Sequence, residues 1–179
     1  MITREQAHDK AIQFIQQLVA KPFGPGGDNI VLNDAATQSY DFGWVFFWQN
    51  RKFLETRDTS FMLVGNAPLL VDRNTGALYV TGTGRSLEYY ISNYRLTGDP
   101  HREPVWHLTF TQPEDSAKTR EAVLLFRDTF KLPLQEAKQA VDHLLKGTQS
   151  TFKIGSEERA QQLSASFQNI GFPSQPVAK

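Results

Sequence analysis

Helical periodicity opens the chain. Ala7, Ala11, Phe14, Ile15, Leu18 and Val19 recur at spacings of three and four, on one face of a helix. Thr3 and Gln6 stand before that stripe at capping-box spacing, where a hydroxyl and an amide can satisfy backbone N–H groups. Pro22 and the run GPGG, Gly24 to Gly27, are expected to end the helix. The period then falls to two. NIVLN, from Asn29, reads as a short strand, and SYDFGWVFFWQN, Ser39 to Asn50, as a long one. The even positions of the long strand are Tyr40, Phe42, Trp44, Phe46 and Trp48, a wholly aromatic face; Asp41, Gly43, Val45, Phe47 and Gln49 form a mixed one. This pattern predicts a central strand with its aromatic face under the first helix.

APLLVD and ALYVTG flank the short loop RNTG, in which Asn74 and Gly76 can take positive φ, so a hairpin is expected there. Leu87, Tyr90, Ile91 and Tyr94 then mark a short closing helix. TGDPHREP breaks the pattern with one glycine and two prolines, as a linker would. Beyond it, VWHLTF alternates as a strand. A helix from about Ser116 carries Ala122, Val123, Phe126 and Phe130. A second helix, opened by Pro133, places Leu134, Ala137, Val141 and Leu144 on one face. STFKI is a further strand. Ser156 caps a third helix, with Ala160, Leu163, Phe167 and Ile170 inward and Gly171 at its end. The tail FPSQPVAK is a poor final strand, because proline cannot donate to a ladder.

The expected fold class is therefore α+β. An N-terminal antiparallel sheet, packed by a long helix and a short closing helix, occupies residues 1–98. A linker spans 99–104, and a small βααβα(β) domain spans 105–179.

Composition narrows the function classes. The 179 residues are 40% hydrophobic and 21% charged, with zero formal net charge, so bulk electrostatics predicts neither nucleic acid nor an acidic membrane as a partner. A base-stacking platform would sit in a basic groove, and the aromatic strand has no Lys or Arg before Arg51. No cysteine is present, which removes disulfides and thiolate chemistry. The start, MITREQAHDKAIQF, is too polar for a signal peptide, and no apolar run reaches the ~20 residues of a membrane span, so a bacterial cytoplasmic setting is expected. His8, His101, His107 and His143 are scattered, without metal-ligand spacing. GTGRS lacks the spacing and ending of a phosphate loop and reads as a strand-to-helix turn. Glu55 and Asp58 form an acid pair that a solvated turn explains equally well. Catalytic residues, metal ligands and cofactors are accordingly not expected.

The segments YDFGWVFFWQN, GNAPLLVDRNTGALYVTGT and LEYYISNY, behind a helix of the REQAHDKAIQFI kind, resemble the immunity protein 35 family of bacterial polymorphic-toxin systems. LPLQEAKQAVDHL and SEERAQQLSASFQNIG are similar to the C-terminal domain of the bacterial ribosomal stalk protein, large-subunit protein seven/twelve. The second family presents a basic row to translation factors. Arg127 and Lys138 keep two of its positions, while Thr119 and Leu124 replace lysines and Pro133 replaces a glycine.

The first resemblance implies an immunity protein that neutralises a cognate toxin, encoded by the neighbouring gene, by stoichiometric occlusion. The second implies an alternative, a ribosome- or translation-factor-associated adaptor acting through the C-terminal domain, with Arg127 and Lys138 as its candidate contacts. A small-molecule site would need a deep polar pocket that no motif announces. Toxin recognition calls for aromatic or arginine anchors with complementary charge. QNRKFLETRDTS fits that chemistry, with Arg51, Lys52, Glu55, Arg57 and Asp58 alternating in sign around Phe53 and Leu54; as a bland alternative it is a solvated hairpin loop. Arg85, Glu88 and Tyr89, on the outward side of the closing helix, form a second candidate set.

Overall fold

The structure, a computed structural model, describes residues 1–19, 29–113 and 117–179. The expected helix stop at Pro22 and GPGG, the side chain of Val19 and the expected helix start at Ser116 lie outside the described residues. The chain divides into two compact units, Met1–Arg102 and Glu103–Lys179.

The first unit begins with α1, Arg4–Val19. Its capping box is formed: the Thr3 N–H donates to Gln6 Oε1 at 2.9 Å, and the Gln6 N–H donates to Thr3 Oγ1 at 3.2 Å. Strands β1 (Ile30–Leu32), β2 (Gln38–Ser39), β3 (Gly43–Phe46) and β4 (Trp48–Asn50) follow, then helix α2 (Arg51–Thr56), strands β5 (Leu69–Asp72) and β6 (Leu78–Val80), and helix α3 (Leu87–Thr97). The strands make two antiparallel sheets, one in the order β2-β3-β5-β6 and one pairing β1 with β4.

The single long strand expected from Ser39 to Asn50 is three strands. Tyr40 and Gly43 exchange backbone hydrogen bonds across a tight turn, so β2 and β3 form a hairpin. The turn brings Gly43 against β5, where a Cβ would lie 2.0 Å from the Val71 carbonyl oxygen; only glycine fits. The turn also moves Tyr40 and Phe42 off the face assigned to them. Trp44, Phe46 and Trp48 do pack under α1 with Ala7, Ala11 and Ile15, as expected. Tyr40 and Phe42 instead join Val45, Phe47, Leu70, Ile91 and Tyr94 in a core on the opposite face, beneath α3. The sheet is thus buried on both sides, and β3 and β5 are buried at every position.

The β5–β6 hairpin forms where RNTG predicts it. Gly76 has a φ of 69°, but Asn74 does not take positive φ. The turn is held by Asp72 instead: its Oδ1 accepts from the Asn74 and Thr75 N–H groups and from Thr75 Oγ1. Its Oδ2 accepts from the Tyr94 hydroxyl at 2.5 Å, tying the turn to α3. Burial pushes the Asp72 carboxyl up, and these hydrogen bonds outweigh it, leaving the group below the usual carboxylate range. Burial, then the hydrogen bond to Asp72 and its charge, pushes the Tyr94 hydroxyl up. Asp72 therefore titrates lower folded than unfolded. Its contribution to stability is full above about pH 4 and is lost as the pH falls through the folded value. Tyr94→Phe leaves Oδ2 buried without that donor and is expected to cost about 1–3 kcal/mol at pH 7. Urea unfolding at pH 7 and pH 3 checks this: the cost of the substitution should shrink at the acid pH, and an equal cost at both would contradict it.

Residues expected to act as a linker are tied into the first unit. Asn93 Nδ2 donates to the Pro100 carbonyl at 3.3 Å, Thr97 Oγ1 donates to the Asp99 carbonyl at 2.9 Å, and a His101 ring nitrogen lies 2.7 Å from the Val80 carbonyl oxygen.

The second unit contains β7 (Trp106–Phe110), α4 (Thr119–Phe130), α5 (Leu134–Leu145), β8 (Ser150–Gly155), α6 (Glu157–Gln168) and β9 (Ser174–Ala178). Its antiparallel sheet has the order β8-β7-β9, over a core of Leu108, Phe110, Phe126, Val141, Leu144 and Phe167. Leu134, expected to face inward, is 56% exposed. The tail does form an edge strand. Val105 and Lys179 exchange both N–H···O bonds at 3.0 Å, so by alternation the Leu108–Pro176 pair is a non-hydrogen-bonded one. The Pro176 nitrogen therefore faces away from β7, and its missing proton costs the ladder nothing.

Among the described residues, two hydrophobic clusters lie in the first unit and one in the second. Fragments 1–102 and 103–179, expressed separately, are each expected to unfold cooperatively on heating. A fragment without a cooperative transition would contradict independent folding.

Candidate functional site

QNRKFLETRDTS is not a hairpin loop. Asn50 caps α2 by accepting from the Lys52 N–H at 2.8 Å, and Arg57 ends the helix in the left-handed region at φ 61°. That conformation costs a non-glycine residue roughly 1–2 kcal/mol, so the surrounding contacts hold it. Asp58 then accepts from the Ser60 N–H at 2.9 Å and caps a single 3-10 turn, Thr59–Phe61. The Ser60 backbone N–H beside Asp58 holds its carboxyl below the usual range.

The segment after this turn is fastened by β4. Gln49 Oε1 accepts from the Leu63 N–H at 2.6 Å, and Gln49 Nε2 donates to the Leu63 carbonyl at 3.0 Å. The Trp48 indole N–H donates to the Ala67 carbonyl at 2.8 Å, and Asn66 Nδ2 donates to the Trp48 carbonyl. Backbone and side chains of β4 thus hold Leu63–Ala67 as a second strand would, without forming one. Apolar side chains face outward here: Phe61 at the end of the 3-10 turn is 37% exposed, Met62 46%, and Val64 in the fastened segment 85%. A depression of about 290 Å³ lies on one side of Val64, lined by Leu18, Ile30, Trp48, Leu63 and Val80. Another, of about 370 Å³, is lined by Phe47, Phe53, Leu54, Arg57 and Met62.

Charged side chains lie close to this apolar ground. Arg51, Lys52, Glu55, Arg57 and Asp58 are all exposed, and none forms an ion pair among the described residues. The Lys52 ammonium sits 5.0 Å from the centre of the Phe61 ring, and the Arg57 guanidinium 5.9 Å from that of Phe53, so the cations frame the aromatics. The five candidates are brought together on α2 and the turn after it. Phe61, Met62 and Val64 were not among them. FMLV after a charged stretch reads as buried strand, and only the missing alternation marks it as something else.

Arg85 and Glu88 are exposed at the start of α3 and Tyr89 is half-buried; the Arg85 guanidinium stands 5.5 Å from the Tyr89 ring centre. Ser86 caps α3 through the Tyr89 N–H, so GTGRS is the strand-to-helix turn it resembles. In the second unit Arg127 is paired with its neighbour Asp128 at 2.7 Å, while Lys138 lines a groove between α4 and α5. Among the described residues no group of three or more His, Asp or Glu could hold a metal ion, and no helix is long and apolar enough to cross a membrane. The surface offers exposed apolar side chains, grooves and charges without ion-pair partners among the described residues.

The chain is 41% identical over 54 residues to the uncharacterized protein YrhB of Escherichia coli strain K12. That match covers 30% of this chain and spans 57% of the relative's length. No solved structure matches. The family model for immunity protein 35 matches residues 5–95, which takes in α1, both sheets of the first unit and nearly all of α3. With that match covering half its length, the chain belongs to the immunity protein 35 family.

Proposed function

We propose that this protein neutralises a cognate toxin by forming a stoichiometric complex with it, through the surface of Arg51–Asn66. The observation that carries the reading is the exposure of Phe61, Met62 and Val64 around Leu63, which β4 fastens, close to the exposed charges of α2. An apolar centre with a polar rim is the anatomy of a protein-binding surface. The centre supplies binding energy through desolvated anchors, and the rim speeds encounter and selects the partner. Occlusion needs no catalytic group or cofactor. The cognate toxin is encoded beside this chain, and the pair meets in the cytoplasm of the cell that makes both.

Co-expression tests the proposal. The toxin from the adjacent gene should arrest growth alone, and this protein should restore it and co-purify in a fixed ratio. Growth arrest that persists, with no complex recovered, would reject the reading.

A further inference from the structure

Four side chains run along one stripe of α5: Leu134, Lys138, Asp142 and Leu145, at spacings of four, four and three. At 3.6 residues per turn they fall within about 80° of arc. The neighbouring face, with Ala137, Val141 and Leu144, is committed to the core. Leu134 is 56% exposed and Leu145 40%, and Leu124 on α4 is 40% exposed beside them. Leu134, Lys138 and Asp142 form one wall of a groove of about 510 Å³, with Arg120, Val123 and Leu124 opposite. Neither Lys138 nor Asp142 has an ion-pair partner among the described residues.

The order along this stripe is leucine, cation, anion, leucine. Reversed end for end it is complementary to itself. A twofold axis near Ala140, between Lys138 and Asp142, sets Leu134 against Leu145 of a second copy and Lys138 against Asp142, and repeats both contacts on the other side. We propose that α5 pairs antiparallel with α5 of a second copy of this chain, forming an isologous dimer. An acidic helix from another protein would satisfy Lys138 and Arg120 but would set like charge against Asp142. A second copy answers both signs at once and covers the exposed leucines.

Sedimentation equilibrium on the full chain tests this. The wild type should show a concentration-dependent dimer. Lys138→Asp places like charges opposite each other twice, as does Asp142→Lys, and each should weaken self-association about tenfold or more. Mixed in equal amounts, the two variants should dimerise again, because both reciprocal contacts then join opposite charges. Leu134→Asp should be monomeric. Circular dichroism and melting midpoints should match the wild type; should a charge reversal unfold, Lys138→Gln and Asp142→Asn should each still weaken the dimer. A wild type that is monomeric at every concentration, folded variants that dimerise undiminished, or a mixture that stays monomeric would each overturn the proposal.

Discussion

Trp44→Ala is expected to lower the free energy of unfolding by about 3–5 kcal/mol, the range for deleting a large aromatic side chain from a packed core. Trp44 is 5% exposed and lies in the cluster that joins β3 and β5 to Ala7, Ala11 and Ile15 of α1. In register it stands opposite Val71 on one side and Ser39 on the other, so the cavity would open in the middle of the sheet. The Arg73 guanidinium rests 4.9 Å from the Trp44 ring centre and would lose that support. Denaturant unfolding of wild type and variant measures the difference. An unchanged midpoint would mean that the indole is not a core element.

Much of this core was legible because burial imposes a period. Residues 44–48 alternate strictly between the α1 side and the α3 side, and the sequence alone separates Trp44, Phe46 and Trp48 from Val45 and Phe47. Tyr40 and Phe42 were misassigned because a tight turn between two strands leaves the alternation running on as if nothing intervened. Gly43 was the available signal, since a glycine inside a strand often marks a close backbone approach. The second face of the sheet was harder to foresee. Val45 and Leu70 need a cover, and it comes from α3, some 20 to 50 residues later in the chain.

The second large effect is on binding. Phe61→Asp and Val64→Asp together should weaken the toxin complex by about 2–4 kcal/mol or more, the loss seen when central anchors are removed. Val64 is 85% exposed and Leu63 keeps its two hydrogen bonds to Gln49, so its change should cost folding little, while Phe61, 37% exposed under Lys52, makes a melting midpoint for the double variant part of the test. Reversals at the rim should act differently. Lys52→Glu and Glu55→Lys should slow association and steepen its salt dependence, with dissociation little altered. Asp58 is a poorer probe, because its carboxylate caps the 3-10 turn and losing a cap costs about 0.5–2 kcal/mol by itself. Association and dissociation rates, measured for each variant at two ionic strengths, separate anchor from rim.

The charged half of this surface could be listed as a candidate from the sequence, because signs alternate along QNRKFLETRDTS, although Asp58 has the structural duty of capping the 3-10 turn. Its apolar half could not. Phe61, Met62 and Val64 are of the types that fill cores, and Val64 is held outward between Leu63 and Ala67, which bond to Gln49 and Trp48 from 14 and 19 residues away. Leu134 shows the same limit in the second unit: it shares a periodic stripe with Ala137 and Val141, yet it sits at the margin of the buried arc and faces solvent.

Titration of the purified neighbouring toxin with this protein bears most directly on the central claim. Toxin activity should fall linearly and reach zero at a fixed stoichiometric ratio, and the Phe61→Asp, Val64→Asp double variant should require a large excess for the same protection. Full toxin activity in the presence of saturating wild-type protein would contradict neutralisation by binding, and undiminished protection by the folded double variant would contradict the assigned surface.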